Sequence, residues 1–354
     1  MLESLIDRFG DGAVLAMAGA LVGVLFGAAA QHSRFCLRAA SIEVAERTFG
    51  PRLSIWLIAF SAGVATVQGA IALGLLDVSE ARPLAATGSM SGAIIGGLMF
   101  GAGMILARGC ASRLLVLSAT GNLRAIITGL VLTLVAQSAL RGVLAPSREA
   151  LASLWLMPGG EARNVLSYLG MGPGIAALIA ALVLAGGFSL AFRRDVRPGH
   201  ALAAALVGCA VGLGWLLTYA ISQTSFEVVE ISSVTFTGPS TDTLMGLVNS
   251  TSLPLGFGVG LVPGVFTGAA TMAILTREWK IERFGPDTPM ERYLIGAALM
   301  GFGSMLAGGC AVGAGMSGGA IFALTAWVAV TCMWIGAMAT HLMLAGRVLR
   351  PATS

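Results

Sequence analysis

Apolar runs recur along the whole chain, broken by short polar stretches. A helix needs about 20 apolar residues to cross a bilayer's hydrocarbon core. By that measure nine spans are predicted, near 13–31, 53–76, 91–108, 122–144, 171–192, 200–221, 254–275, 292–308 and 319–345. They are apolar all round, as helices surrounded by lipid and by other apolar helices are. Four segments fit neither a span nor a polar loop: 32–50, 109–121, 222–253 and 309–318.

Composition agrees with this pattern. Of 354 residues, 56% are hydrophobic and only 11% charged, with a mean hydropathy of +0.87. Soluble domains carry about 25% charged residues. The chain is therefore expected to be an all-α polytopic membrane protein embedded in a lipid bilayer. Its net charge of +4 is spread over many short loops rather than gathered in a patch. That distribution fits basic cytoplasmic loops and excludes nucleic acid as a partner. The 49 glycines sit inside apolar runs, where small residues let helices approach closely. The opening MLESLIDRFGDG is acidic and makes a poor signal-peptide n-region, so Ala28–Ala30 reads as part of a first span rather than a cleavage site.

Orientation follows from where Lys and Arg collect. The compact basic loop Arg193–Gly199 is placed in the cytoplasm. Counting spans from it puts Arg38, Arg47, Arg52, the stretch Thr276–Arg283 and the tail arginines Arg347 and Arg350 on the same side. Loops Asp77–Arg82 and Ser147–Arg163 fall outside. The expected topology has a periplasmic N-terminus and a cytoplasmic C-terminus.

One phrase is written twice. GAGMILARGCA runs from Gly101 to Ala111, and GFGSMLAGGCA from Gly301 to Ala311. The first ends the third span and the second ends the eighth, so the two run in opposite directions. A fainter echo links Gly19-x-x-x-Gly23, leading to Cys36, with Gly208-x-x-x-Gly212, leading to Ser225. The chain is expected to form one integral membrane domain of two inverted-topology repeats, residues 1–170 and 171–354. Secondary transporters built this way hold their site near the midplane between the halves.

Five cysteines are present: Cys36, Cys110, Cys209, Cys310 and Cys332. None forms a CxxC pair, and His32, His200 and His341 are scattered, so no metal site or cofactor is expected. Cys209 and Cys332 lie within apolar runs and read as small packing residues. Cys36, Cys110 and Cys310 each follow a small-residue span and meet a break, in SRFCLRAA, ARGCASRL and AGGCAVGAG. Irregular backbone at membrane depth is tolerated only where it is buried in protein or lines a cavity. A short helix beginning at each break would aim its N-terminal amides at a bound anion. Arg34, Arg38, Arg108 and Arg113 flank the thiols. Arginine within a span marks a functional site by default, although Arg38 and Arg113 also suit a simple cytoplasmic boundary. Anion transport with sulfur chemistry is the reading these residues support.

SRFCLRAA, the Gly101–Arg113 block and the Gly308–Ala320 block resemble, in order and over nearly the full length, the three cysteine motifs of the YeeE/YedE family of bacterial inner-membrane sulfur transporters. The resemblance implies thiosulfate import past Cys36, Cys110 and Cys310 on a narrow central path; the flanking Arg34 and Arg108 are added as candidate binding residues from their position beside the thiols. It also implies short central half-membrane helices at the four awkward segments, and leaves room for a small cytoplasmic sulfur-acceptor protein that no residue specifies. Other sulfur or selenium anions stay open as the cargo.

Carrying two negative charges into an inside-negative cell costs about 4.6 kcal/mol per 100 mV. The chain has no GxxxxGK[ST] pattern for direct ATP drive. Glu227 and Glu230 are the candidates for proton coupling, with ordinary interfacial charge as the plainer reading. Two alternatives to a transporter remain at this point. One is a membrane-embedded sulfurtransferase, which lacks an obvious general base beside any thiol. The other is a passive scaffold, which leaves the doubled cysteine phrase unexplained.

Overall fold

The computed structural model describes residues 2–249, 254–284 and 289–348. It is almost wholly helical. Nine helical stretches among the described residues are long and apolar enough to cross a membrane. In chain order the helices are α1 (Leu2–Phe9), α2 (Asp11–Ser33), α3 (Leu37–Ala45), α4 (Pro51–Ala72), α5 (Arg82–Ala85), α6 (Met90–Leu106), α7 (Ala111–Ala119) and α8 (Leu123–Arg141). There follow α9 (Ala145–Ala152), α10 (Val165–Leu169), α11 (Pro173–Arg193), α12 (Pro198–Thr224), α13 (Thr237–Asn249), α14 (Phe257–Leu275), α15 (Met290–Ala307) and α16 (Leu324–Val348). A π-helix, Ala311–Gly318, lies between α15 and α16. The spanning helices are α2, α4, α6, α8, α11, α12, α14, α15 and α16.

Two predicted spans shift at one end, for the same reason. The second stops at Ala72 instead of residue 76, because Gly74 turns the chain at φ 70° while Leu73 and Leu75 keep it apolar. The ninth starts at Leu324 rather than 319, because Phe322 (φ 56°) makes a turn of equally apolar residues. The loop Ser147–Arg163 is also more structured than its balanced charge implies. It carries part of α9, and Leu156–Met157 pairs antiparallel with Gly88–Ser89. Arg163, 6% exposed, donates to the Ala86 carbonyl and to Thr325 Oγ1 (2.6 Å), tying this segment to the start of α16. The tail residue Arg350 lies outside the described residues.

Glycine sets the packing. Lipid removes the hydrophobic drive between helices, so close backbone approach has to hold them together. Gly19, Gly23 and Gly27 of α2 face the backbone of Phe257, Leu261 and Val265 of α14, while Gly260, Gly264 and Gly268 face Ala16, Ala20 and Val24. A Cβ on Gly264 would stand 2.5 Å from the Ala20 carbonyl oxygen. Both residue series rise together, so α2 and α14 run parallel. Three more pairs do the same: α4 with α12 through Gly63 and Gly208, α6 with α16 through Gly97 and Gly101, and α8 with α15 through Gly301. By contrast α6 and α15 are antiparallel, Gly96 meeting Gly303 and Gly103 meeting Gly296.

Candidate functional site

The three singled-out cysteines occupy one backbone motif, built three times. Helix α2 ends in Arg34 at φ 55°, α6 is followed by Arg108 at φ 56°, and α15 ends in Gly308 at φ 81°. A left-handed residue after a helix reverses the chain and lets the next amide close back on the last turn. That closure is present at every break: Phe35 N–H donates to Ala30 O (3.2 Å), Gly109 to Met104 O (3.1 Å) and Gly309 to Ser304 O (2.8 Å). The next residue is the cysteine, in extended conformation, as N-cap of α3, α7 or the π-helix. Its carbonyl then accepts the first bond of the new helix, from Ala40 (3.3 Å), Leu114 (2.9 Å) or Ala314 (2.8 Å). Each thiol thus sits where a short helix presents its first unpaired amides.

The surroundings differ. Cys110 and Cys310 are each 1% exposed, whereas Cys36 is half-buried. Cys110 Sγ lies 3.3 Å from Ser112 Oγ, and Cys310 Sγ accepts from the Gly313 amide (3.4 Å). Cys110 is within electrostatic reach of both other thiols, and Arg113 is within reach of Cys36 and Cys110. Cys209 and Cys332 are half-buried within α12 and α16, away from any helix break.

After α12 no short helix follows at once. From Ser225 to Phe236 the chain has no regular secondary structure, and α13 begins after it. The buried part is stitched to its neighbours by side chains: Thr218 Oγ1 donates to Ser232 O (2.7 Å), Ser233 Oγ to Val211 O (2.6 Å) and Ser317 Oγ to Val234 O (2.6 Å). Thr235 packs on Gly313, so this segment braces the Cys310 helix. Glu227 and Glu230 stand exposed at its start, which matches interfacial charge and not a buried proton relay.

Arg34 is engaged: its Nη2 donates to Glu278 Oε1 at 2.8 Å, and Gln31 donates to the other oxygen at 3.0 Å. The Arg34 hydrogen bond outweighs the opposing partial burial and holds the Glu278 carboxyl below the usual carboxylate range. Arg108 is exposed, its guanidinium 5.9 Å from the Tyr293 ring centroid. Two cavities lie at the ends of this arrangement. One, about 500 Å3, is lined by Gln68, Asp77, Asn164 and Ile321 and follows the Cys310 helix. The other, about 290 Å3, is lined by Arg108, Asn122, Arg124 and Tyr293 and follows the Cys110 helix. Their loops follow the second and fourth spans in the first case and the seventh in the second, so they open on opposite faces of the helix bundle. Arg124, Arg292 and Tyr293 escaped the sequence reading because each sits at a helix start, where such residues commonly mark the membrane boundary.

Residues 32–339 match the model of a family described as sulphur transport. A thiosulfate transporter TsuA of Spirochaeta thermophila is 29% identical over 335 residues, covering 88% of this chain and 93% of the relative. A thiosulfate transporter TsuA of Escherichia coli is 25% identical over 345 residues, covering 90% and 92%.

Proposed function

Since this chain belongs to the sulphur transport family, and the relatives it matches are named transporters, we propose that it imports thiosulfate across the bacterial inner membrane along a path lined by Cys310, Cys110 and Cys36. The observation that carries this reading is the threefold use of one motif, in which a left-handed turn delivers a thiol to the start of a short helix. The relatives' name supplies the cargo.

The anion enters through the larger cavity beside Ile321 and meets Cys310 first. Thiols are weak donors, so each contact holds the anion loosely enough to release it to the next. Conduction needs binding that permits both entry and exit. Helix amides at Cys110 and Cys310 supply positive partial charge without mobile cations. Arg108 and the ion-paired Arg34 set the field at the exit side, next to the smaller cavity. The thiols stay reduced, because a disulfide or persulfide would close the path.

The same reading takes residues 1–170 and 171–354 as inverted-topology repeats. A half-turn that exchanges α2 with α12, α4 with α14, α6 with α15 and α8 with α16 maps the α2–α14 pair onto α12–α4 and the α6–α16 pair onto α15–α8. It leaves the antiparallel α6–α15 pair on itself. The N-terminus is then periplasmic and the C-terminus cytoplasmic, with the arginine-rich cavity inside. A sulfur acceptor in the cytoplasm would consume the cargo and offset the cost of importing a dianion, about 4.6 kcal/mol per 100 mV.

The test is growth on thiosulfate as sole sulfur source in cells stripped of their own importers. Expression of this chain is expected to restore growth. Restoration on sulfate or sulfite and not on thiosulfate would assign another cargo.

A further inference from the structure

Arg108, Arg124 and Arg283 line the smaller cavity, and Arg38 and Arg292 stand near them without lining it. Arg108 and Arg124 both stand over the Tyr293 ring, 5.9 and 4.9 Å from its centroid. Arg38 of α3 lies within electrostatic reach of Arg108, Arg124 and Arg292. Among the described residues none of these four arginines is in an ion pair. Three have a buried nitrogen without a hydrogen-bond partner: Arg38 Nε, Arg124 Nη1 and Arg292 Nε. The carboxylate on the wall, Glu282, is held by Asn122 Nδ2 and lies 3.5 Å from Lys280 Nζ.

Buried donors left unpaired are costly, and charged ones more so. Guanidinium offers donors only, in a planar fork matched to oxyanions. An acceptor carrying negative charge is the chemistry that suits the Arg124 fork on the cavity wall. Three arginines line the cavity, Arg108, Arg124 and Arg283, against one carboxylate. The surplus of two positive charges equals the charge of a small oxyanion such as thiosulfate. Position narrows the role: Arg108 lies two residues before Cys110, and Asn122 follows the helix that Cys110 caps.

We propose that this cavity is a second anion site, distinct from the thiols, in which a tetrahedral dianion rests after passing Cys110, and that its occupant is the transported thiosulfate. The proposal rests on the transport reading above and gives the path an exit station. Such a station would hold the anion against return while the thiols reload.

Equilibrium binding of radiolabelled thiosulfate to the purified full-length protein tests it, in a variant carrying Cys36→Ala, Cys110→Ala and Cys310→Ala. Binding is expected to persist there, to weaken about tenfold in Arg124→Gln or Arg283→Gln, one charged hydrogen bond being lost, and to fall with added salt. Two arginine variants guard against one failing to fold. No binding in the thiol-free protein, or binding indifferent to both substitutions, overturns the site. Displacement by equimolar sulfate or phosphate would make it a site for cytosolic oxyanions and overturn the assignment of its occupant. Uptake by the unmodified protein is measured alongside. Normal uptake without arginine-dependent binding removes only this inference, and absent uptake removes the transport reading itself.

Discussion

Arg108 holds a left-handed backbone where the second copy of the motif has Gly308. For a residue with a Cβ that conformation costs about 1–2 kcal/mol, which on the proposed transport reading is offset by the charge the arginine brings to the path. Arg108→Gly is expected to melt no lower than the unmodified protein. Its half-saturating thiosulfate concentration should nevertheless rise about tenfold, the cost of one charged contact. Thermal unfolding in detergent and uptake kinetics separate the two effects, and a variant that is both unstable and fully active would reverse the argument. At this scale the sequence marked the three helix breaks at Cys36, Cys110 and Cys310, since glycine and arginine beside cysteine are unusual in an apolar run. It was silent about Glu278 and Arg124, because their significance depends on contacts with α2 and α15 that no spacing encodes.

At the scale of elements, the α2–α14 seam depends on six glycines facing carbonyls. Gly264→Val would push the helices apart and, as overpacking does, cost about 1–3 kcal/mol. Gly186→Val on the exposed side of α11, where nothing lies within 4 Å, should have little effect on packing. Detergent melting temperatures of the pair decide this, and equal losses would mean that the seam does not carry stability. The spans were legible because apolar length is their physical requirement. Their ends were not, wherever apolar residues continue through a turn, as at Leu73–Leu75 and Gly319–Ala323. The segment Ser225–Phe236 was visible only as a stretch that failed to fit. Its hydrogen bonds come from Thr218, Ser233 and Ser317, and ordinary serines and threonines in a sequence give no sign of such duty.

For the whole molecule, acid should act through the Arg34–Glu278 pair. Because the folded carboxyl titrates below its unfolded value, near 4.3, the pair's stabilisation is complete above that value. It is lost as the pH falls through the lower, folded value. Melting temperatures followed through that acid range should drop less steeply in Glu278→Gln than in the unmodified protein. A parallel decline in both would place the acid sensitivity elsewhere. Orientation is open to labelling: with the half-buried Cys36, Cys209 and Cys332 replaced by alanine, Ser147→Cys should react with an impermeant reagent in intact cells, and Thr48→Cys only after lysis. The reverse pattern would invert the proposed topology.

The central claim is that cargo passes along the three capped thiols. It is tested most directly by initial uptake of radiolabelled thiosulfate into cells without their own importers, at matched expression. Cys110→Ala and Cys310→Ala should each abolish saturable uptake, while Cys209→Ala and Cys332→Ala retain it. Undiminished uptake by the first two would contradict the account.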